Sequence, residues 1–175
     1  MTSKTSSTFH GDLLVDEAER AAVEDLKSRY FFSVDNKRWD ELRDLFTDDA
    51  RFEGLPFGQE GPDSFVAAVR EFLTGAVTVH HGFMPRFYKR SAERIRARWS
   101  MIDYLRWPYG SRSRPGLAET SGMTGYGYYD EEYRREGGTW KIEFMRVARL
   151  RVDLVRDSDA AGAGGHSAPD PNWLP

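Results

Sequence analysis

Apolar residues recur at helical spacing in the first part of the chain and at every second position in the last. Val23, Leu26, Tyr30 and Val34 form one stripe behind Asp16, a good N-cap, and predict a first helix. Trp39, Leu42, Leu45 and Phe46 repeat the pattern in a shorter helix, which Trp39 staples to the core. That helix is expected to stop at Thr47-Asp48-Asp49, whose short polar side chains compete for backbone hydrogen bonds. Ala50 to Leu55 reads as a strand and Pro56 to Gly61 as a loop. Pro62 then opens a third helix, carrying Phe65, Val69, Phe72 and Leu73 and ending at Gly75.

From Val77 onward the period is two. Val77 to Phe87 is a strand with a kink expected at Gly82 or Pro85. Ser91 to Trp107 is the clearest strand, with Arg94, Arg96 and Arg98 on one face and Ile95, Ala97, Trp99 and Met101 on the other. Tyr109 to Glu119, with Arg112 and Arg114, reads as a long loop. Gly122 to Arg134 and Thr139 to Leu154 form a hairpin closed by Arg135-Glu136-Gly137-Gly138. Helices first and long antiparallel strands afterwards give an α+β domain. Such a sheet curls to bury its aromatic face, and three helices close the open side around a conical pocket. Residues 1–15 read as a flexible arm and 156–175 as a flexible tail, in which Trp173 and Leu174 could dock on a pocket mouth or a neighbouring subunit.

Composition narrows the functions. The chain has 175 residues, enough for one domain, and a formal charge of −3 with acids and bases interspersed. No basic face argues for nucleic acid, and no apolar run approaches a membrane span. Cysteine is absent, which removes disulfides and thiolate chemistry and fits a reducing cytoplasm. Met1 to Gly11 is Ser/Thr-rich without an apolar stretch, so no signal peptide is expected and the predicted location is cytoplasmic. The 5 Trp, 8 Tyr and 11 Phe supply either a large aromatic core or a cavity for a flat, cyclic ligand.

Four positions carry candidate chemistry. Asp103 continues the apolar parity of Ile95, Ala97, Trp99 and Met101, so a carboxylate falls on the dry face and needs partners or a proton. Asp35 ends the first helix, either as a plain C-terminal turn or as a site acid. His80 and His81 are adjacent on a strand, so one faces inward, and strict alternation with Val77, Val79 and Phe83 selects His81. Without a third His or acid at ligand spacing, no metal is expected. On the last strand, the parity of Trp140, Ile142 and Phe144 runs into Arg146, with Arg149 and Arg151 close behind. At least one guanidinium there should turn toward a buried acid or an anionic ligand.

Together these residues resemble a known family. The segment from Val23 to Ala50, the run His80-His81-Gly82, the strand Arg98-Trp99-x-x-x-Asp103 and the hairpin Tyr133…Gly138-Thr139-Trp140 are similar to the SnoaL-like branch of the NTF2-like superfamily. The resemblance spans residues 16–155. Within the branch, the pattern K-x-x-Y-F-x-x-x-D-x-K-x-W-D-E-L, from Lys27 to Leu42, is most like bile-acid 7α-dehydratase, with hexachlorocyclohexane dehydrochlorinase and scytalone dehydratase as further relatives. The resemblance implies a conical α+β barrel, no metal or organic cofactor, and homo-oligomers, trimers or dimers. It implies Asp35, His80 and Tyr30 as catalytic residues, with Asp103 and Arg149 lining the pocket. On both open choices it departs from parity, taking His80 over His81 and Arg149 over Arg146. The implied activity is a cofactor-free dehydratase-like lyase or isomerase acting on a small, hydrophobic steroid- or polyketide-like ring. A non-catalytic ligand-binding protein and the small subunit of a ring-hydroxylating dioxygenase are the competing readings.

Overall fold

A computed structural model describes residues 14–55, 60–108 and 120–156 of the chain. The expected arm before residue 14, the loop from Tyr109 to Glu119 and the tail with Trp173 and Leu174 lie outside the described residues. The element order is α1 (Glu17–Asp35), α2 (Trp39–Asp44), β1 (Phe46–Glu53), α3 (Pro62–Phe72), β2 (Val77–Ser91), β3 (Arg94–Arg106), β4 (Thr120–Glu136) and β5 (Thr139–Arg156). The strands form one sheet in the order β1-β5-β4-β3-β2. The sheet curls without closing, so β1 and β2 are its edges.

Local chemistry explains most boundaries. Asp16 caps α1 in a capping box: its carboxylate accepts from the Glu19 N–H, and Glu19 reaches back to the Asp16 N–H. Pro62 stands in the first turn of α3. One expected boundary moves. Residues 45 and 46 were expected in the second helix, yet α2 ends at Asp44 and β1 begins at Phe46. Strand pairing wins there, because the Leu45 carbonyl accepts the Ile142 N–H at 2.9 Å and Phe46 then runs parallel to β5. The kink in β2 falls at Met84-Pro85, where Met84 takes φ 50° and the register with β3 slips between Phe83 and Arg86.

The core fills the hollow of the sheet. Phe52 stacks on Phe65 of α3 at 3.9 Å, and Phe46 meets both edge-on, which locks β1 to α3. Tyr30, Phe31 and Tyr129 form a second aromatic group under α1. The aromatic residues thus build much of the core.

Charge also enters the interior. Lys27 of α1 is 1% exposed and donates to Glu131 of β4, itself 0% exposed, at 2.6 Å. Tyr133 gives its hydroxyl to the other Glu131 oxygen, and the Trp99 indole N–H donates to Tyr133 at 2.9 Å. The Lys27 ammonium also lies over the rings of Tyr30, Phe31 and Tyr129, at 4.1, 4.5 and 3.7 Å. Burial lowers its pKa, and the Glu131 carboxylate opposes that shift. Removing one partner of such a pair strands the other charge in a dry core. Lys27→Met should therefore cost about 3–5 kcal/mol in chemical denaturation. The double change Lys27→Met/Glu131→Gln should cost less than Lys27→Met alone.

Candidate active site

Three cross-strand rows on the concave face of the sheet set out the site. Thr78, Leu105, Met123 and Leu154 form the first row, His80, Asp103, Gly125 and Val152 the second, and Gly82, Met101, Gly127 and Arg149 the third. Direct partners in a sheet share a face, so each row points into the hollow together. The C-terminal end of α1 lies over these rows at β2.

Asp35, the last residue of α1, meets His80 there. His80 Nδ1 is 2.6 Å from Asp35 Oδ1, and the His80 backbone N–H donates to Oδ2 at 2.9 Å. Thr78 adds its hydroxyl to Oδ1 at 2.8 Å. A carboxylate can only accept, so Nδ1 carries the proton of this bond, and in the neutral imidazole Nε2 is the nitrogen with the lone pair. Nε2 has no hydrogen-bond partner among the described residues. The His80 side chain is 9% exposed and that of Asp35 is 21% exposed.

Asp103 is fully buried beside them on the sheet. It accepts from the Tyr129 hydroxyl at 2.8 Å and from Arg149 at 2.9 Å. Arg149 reaches it by crossing Gly125: a Cβ there would lie 3.0 Å from Arg149 Nε. Gly82 acts similarly toward α1, since a Cβ there would stand 2.7 Å from the Phe31 ring. Tyr30, on the inward side of α1, is buried with its ring edge-on to that of Tyr129 at 6.2 Å.

Two parity readings are corrected. Strict alternation selected His81, but Val77, Val79 and Phe83 face outward with His81, and His80 turns in. Those apolar residues belong to the outer face of the sheet, so they gave the wrong phase. Arg146 was the guanidinium that parity turned inward. It is exposed and pairs with Asp130 at 2.6 Å on the outer face. The cause is a bulge: Tyr133 pairs with Ile142 but Glu132 with Phe144, so Glu143 is an extra residue. Beyond it Met145, Val147 and Arg149 face inward. A second bulge at Leu150 shifts the phase again and brings Val152 and Leu154 to the concave face, 42% and 50% exposed.

The site residues therefore converge from four elements: Tyr30 and Asp35 from α1, His80 from β2, Asp103 from β3 and Arg149 from β5. Sequence reasoning missed Thr78 and Tyr129. Thr78 had a signal in its i+2 spacing from His80; Tyr129 had none beyond its place among many aromatics. Among the described residues no cluster of three or more His, Asp or Glu could hold a metal, and no helix is long and apolar enough to cross a membrane. Two surface grooves, one lined by Arg51, Arg90, Arg94 and Arg134 and the other by Arg86, Tyr88, Arg98 and Arg146, hold none of the site residues.

The SnoaL-like domain family matches residues 17–146, and the chain belongs to that family, within the NTF2-like superfamily. Solved structures agree on the fold. A hexachlorocyclohexane dehydrochlorinase (LinA) of type 2 superposes with a TM-score of 0.66 at 23% identity, covering 88% of this chain and 95% of that one. The type 3 enzyme from Novosphingobium barchaimii gives 0.66 at 22% identity, with 87% and 96% covered. A protein of Novosphingobium aromaticivorans described as a candidate scytalone dehydratase gives 0.65 at 20% identity, with 85% and 96% covered. No curated protein matches the sequence.

Three phenols in this interior resist ionisation. Burial pushes Tyr30, Tyr129 and Tyr133 well above the ordinary tyrosine range, and the nearby carboxylates Glu131 and Asp103 add to the shift. Each pKa is raised in the folded state, so its contribution to stability is whole below about pH 10 and is lost as pH rises beyond it. In an alkaline titration, tyrosinate absorbance from these three should appear together with the loss of helical circular dichroism. Ionisation of all three in the intact fold would contradict their burial.

Proposed function

We propose that this SnoaL-like chain is a cofactor-independent lyase of the dehydratase type, with Asp35 and His80 as its proton-transfer pair. The observation that carries the reading is the 2.6 Å bond from His80 Nδ1 to Asp35, which leaves Nε2 as a free base over the concave face. In the forward reaction Nε2 removes a proton beside an activating carbonyl of a cyclic substrate. Asp35 stabilises the imidazolium that results. The imidazolium returns the proton to the departing hydroxyl, so an alkene and water leave and the enzyme is restored. A proton returned to a different carbon of the same intermediate would give an isomerase on the same residues. General acid–base assistance of this kind accelerates a reaction about 10² to 10⁴-fold.

The other residues have roles that fit their surroundings. Tyr30, neutral because burial raises its pKa, donates to the developing oxyanion or the departing hydroxyl. Arg149 neutralises Asp103 and lends the polar end of the site a fixed dipole. Val152 and Leu154 stand half exposed on the same face, an apolar wall suited to a hydrophobic ring such as that of a steroid or polyketide. This reading places the enzyme in the cytoplasm, without nucleic-acid or membrane partners.

It also makes the protein a homo-oligomer, a dimer or trimer. Val77, Val79, Phe83, Tyr104 and Tyr126 are each more than a third exposed on the outer face, and Val79 and Tyr104 are direct cross-strand partners. A contiguous apolar patch of this kind favours burial against another copy.

Three experiments test the reading. Hydroxylated keto-steroids and polyketide-ring alcohols should raise the melting temperature, and those that bind should be screened for loss of water. His80→Ala and Asp35→Asn should each abolish turnover with little change in melting temperature. Binding in the wild type with no turnover of any ring alcohol would instead identify a ligand-binding protein. In sedimentation, the wild type should run heavier than its 20.1 kDa chain, and Val79→Glu/Tyr104→Glu should shift it to a monomer.

A further inference from the structure

The residue after the α1 cap is held in a backbone conformation that lysine disfavours. Lys37 has φ 61°, a left-handed value that glycine adopts without cost and a lysine does not. Its backbone N–H closes the end of α1 on the Val34 carbonyl at 3.3 Å, a role that glycine fills best at helix ends. A purely structural turn would therefore favour glycine. What lysine adds is its ammonium, which folds back and donates to Thr78 Oγ1 at 2.8 Å and to the Val34 carbonyl at 3.3 Å. Strained positions of this kind persist where the side chain has work that the backbone cost cannot displace.

The bond to Thr78 has a direction. An ammonium only donates, so the Thr78 oxygen accepts from it and must send its own hydrogen elsewhere. Asp35 Oδ1, at 2.8 Å, is the acceptor in place. The same oxygen takes the His80 Nδ1 proton, and Oδ2 takes the His80 backbone N–H. Donation thus runs from Lys37 to Thr78 to Asp35, while His80 donates from the other side. Thr78 is buried, so its hydroxyl has little water to turn to.

We propose that Lys37 and Thr78 are positioning residues for the Asp35–His80 pair, orienting the carboxylate so that it binds His80 through Nδ1 and leaves Nε2 as the base. The inference rests on the catalytic reading of that pair, but its test needs no substrate. The Nδ1 proton of His80, in a short bond to a carboxylate, should give a downfield proton resonance that exchanges slowly with water. Lys37→Gly relieves the backbone and removes the ammonium, and Thr78→Val removes the hydroxyl at constant shape. Both should speed exchange of the His80 signal by about tenfold or more, the factor carried by one hydrogen bond to a charged group. Lys37→Gly should meanwhile melt at or above the wild-type temperature, and Thr78→Ser should restore slow exchange. An unchanged His80 signal in both Lys37→Gly and Thr78→Val overturns the proposal and leaves Lys37 as a helix terminator. Absence of the signal in the wild type would sink the Asp35–His80 pair itself, a separate failure. Turnover lost in Asp35→Asn, with the signal unchanged in Lys37→Gly and Thr78→Val, would keep the catalytic reading and reject only this one.

Discussion

The attachment of α1 to the concave face of the sheet governs almost everything else in this molecule. The helix is tied down by charge at three points along its length. Glu19 takes Lys89 at 2.6 Å near its start, Lys27 takes Glu131 at 2.6 Å in the middle, and Asp35 takes His80 at 2.6 Å at its end. Apolar packing alone is non-directional and would let the helix slide or turn over the aromatic floor. Charge-assisted hydrogen bonds to named atoms on β2 and β4 do not allow that. The central tie is the driest, so it fixes the rotation that carries Asp35 to β2.

The sheet then has to present the right side chains beneath that helix, and it does so with irregularities. β5 holds two extra residues, Glu143 and Leu150, and each reverses which side chains face inward. The first puts Arg149 inside and Arg146 outside. The second turns Val152 and Leu154 toward the hollow. Glycines complete the fit: Gly125 lets Arg149 cross to Asp103, and Gly82 leaves room for the Phe31 ring against β2. Bulges and glycines weaken a sheet as a sheet, and here they are the means by which residues from separate strands meet.

The interior that results is unusually ionic for a small domain. Lys27, Glu131, Asp103 and Arg149 are each paired by salt bridges, and three neutral phenols fill the space between them. In a low-dielectric region such pairs are costly to form and far costlier to break one-sidedly. They specify one arrangement of helix and sheet more than they add net stability. The lyase proposed for this chain would benefit from that rigidity, because a base nitrogen is useful only where its neighbours stay fixed.

Much of this was legible from residue pattern. The helical stripe of α1, the N-cap at Asp16, the Pro62 start of α3 and the period-two strands are local properties, decided by side chains within a turn or two of each other. So was the inward turn of Asp103, since β3 runs without a bulge and strict alternation holds along it. Resemblance supplied His80 and Arg149, where periodicity had selected His81 and Arg146. Periodicity failed because the apolar residues of β2 at 77, 79 and 83 lie on its outer face and because a bulge is set by the partner strand, which a single strand's pattern does not record. The bonds that Thr78, Tyr129 and the Lys37 ammonium make across the fold entered only through the tertiary structure, since Lys37 and Thr78 are 41 residues apart, Thr78 and Asp35 43, and Tyr129 and Asp103 26. The sequence by itself determined which segments are helix or strand and that a carboxylate would be buried. Which atoms meet that carboxylate, and whether Asp35 finds a histidine, the tertiary structure alone decided, because hydrogen bonds form between neighbours in space.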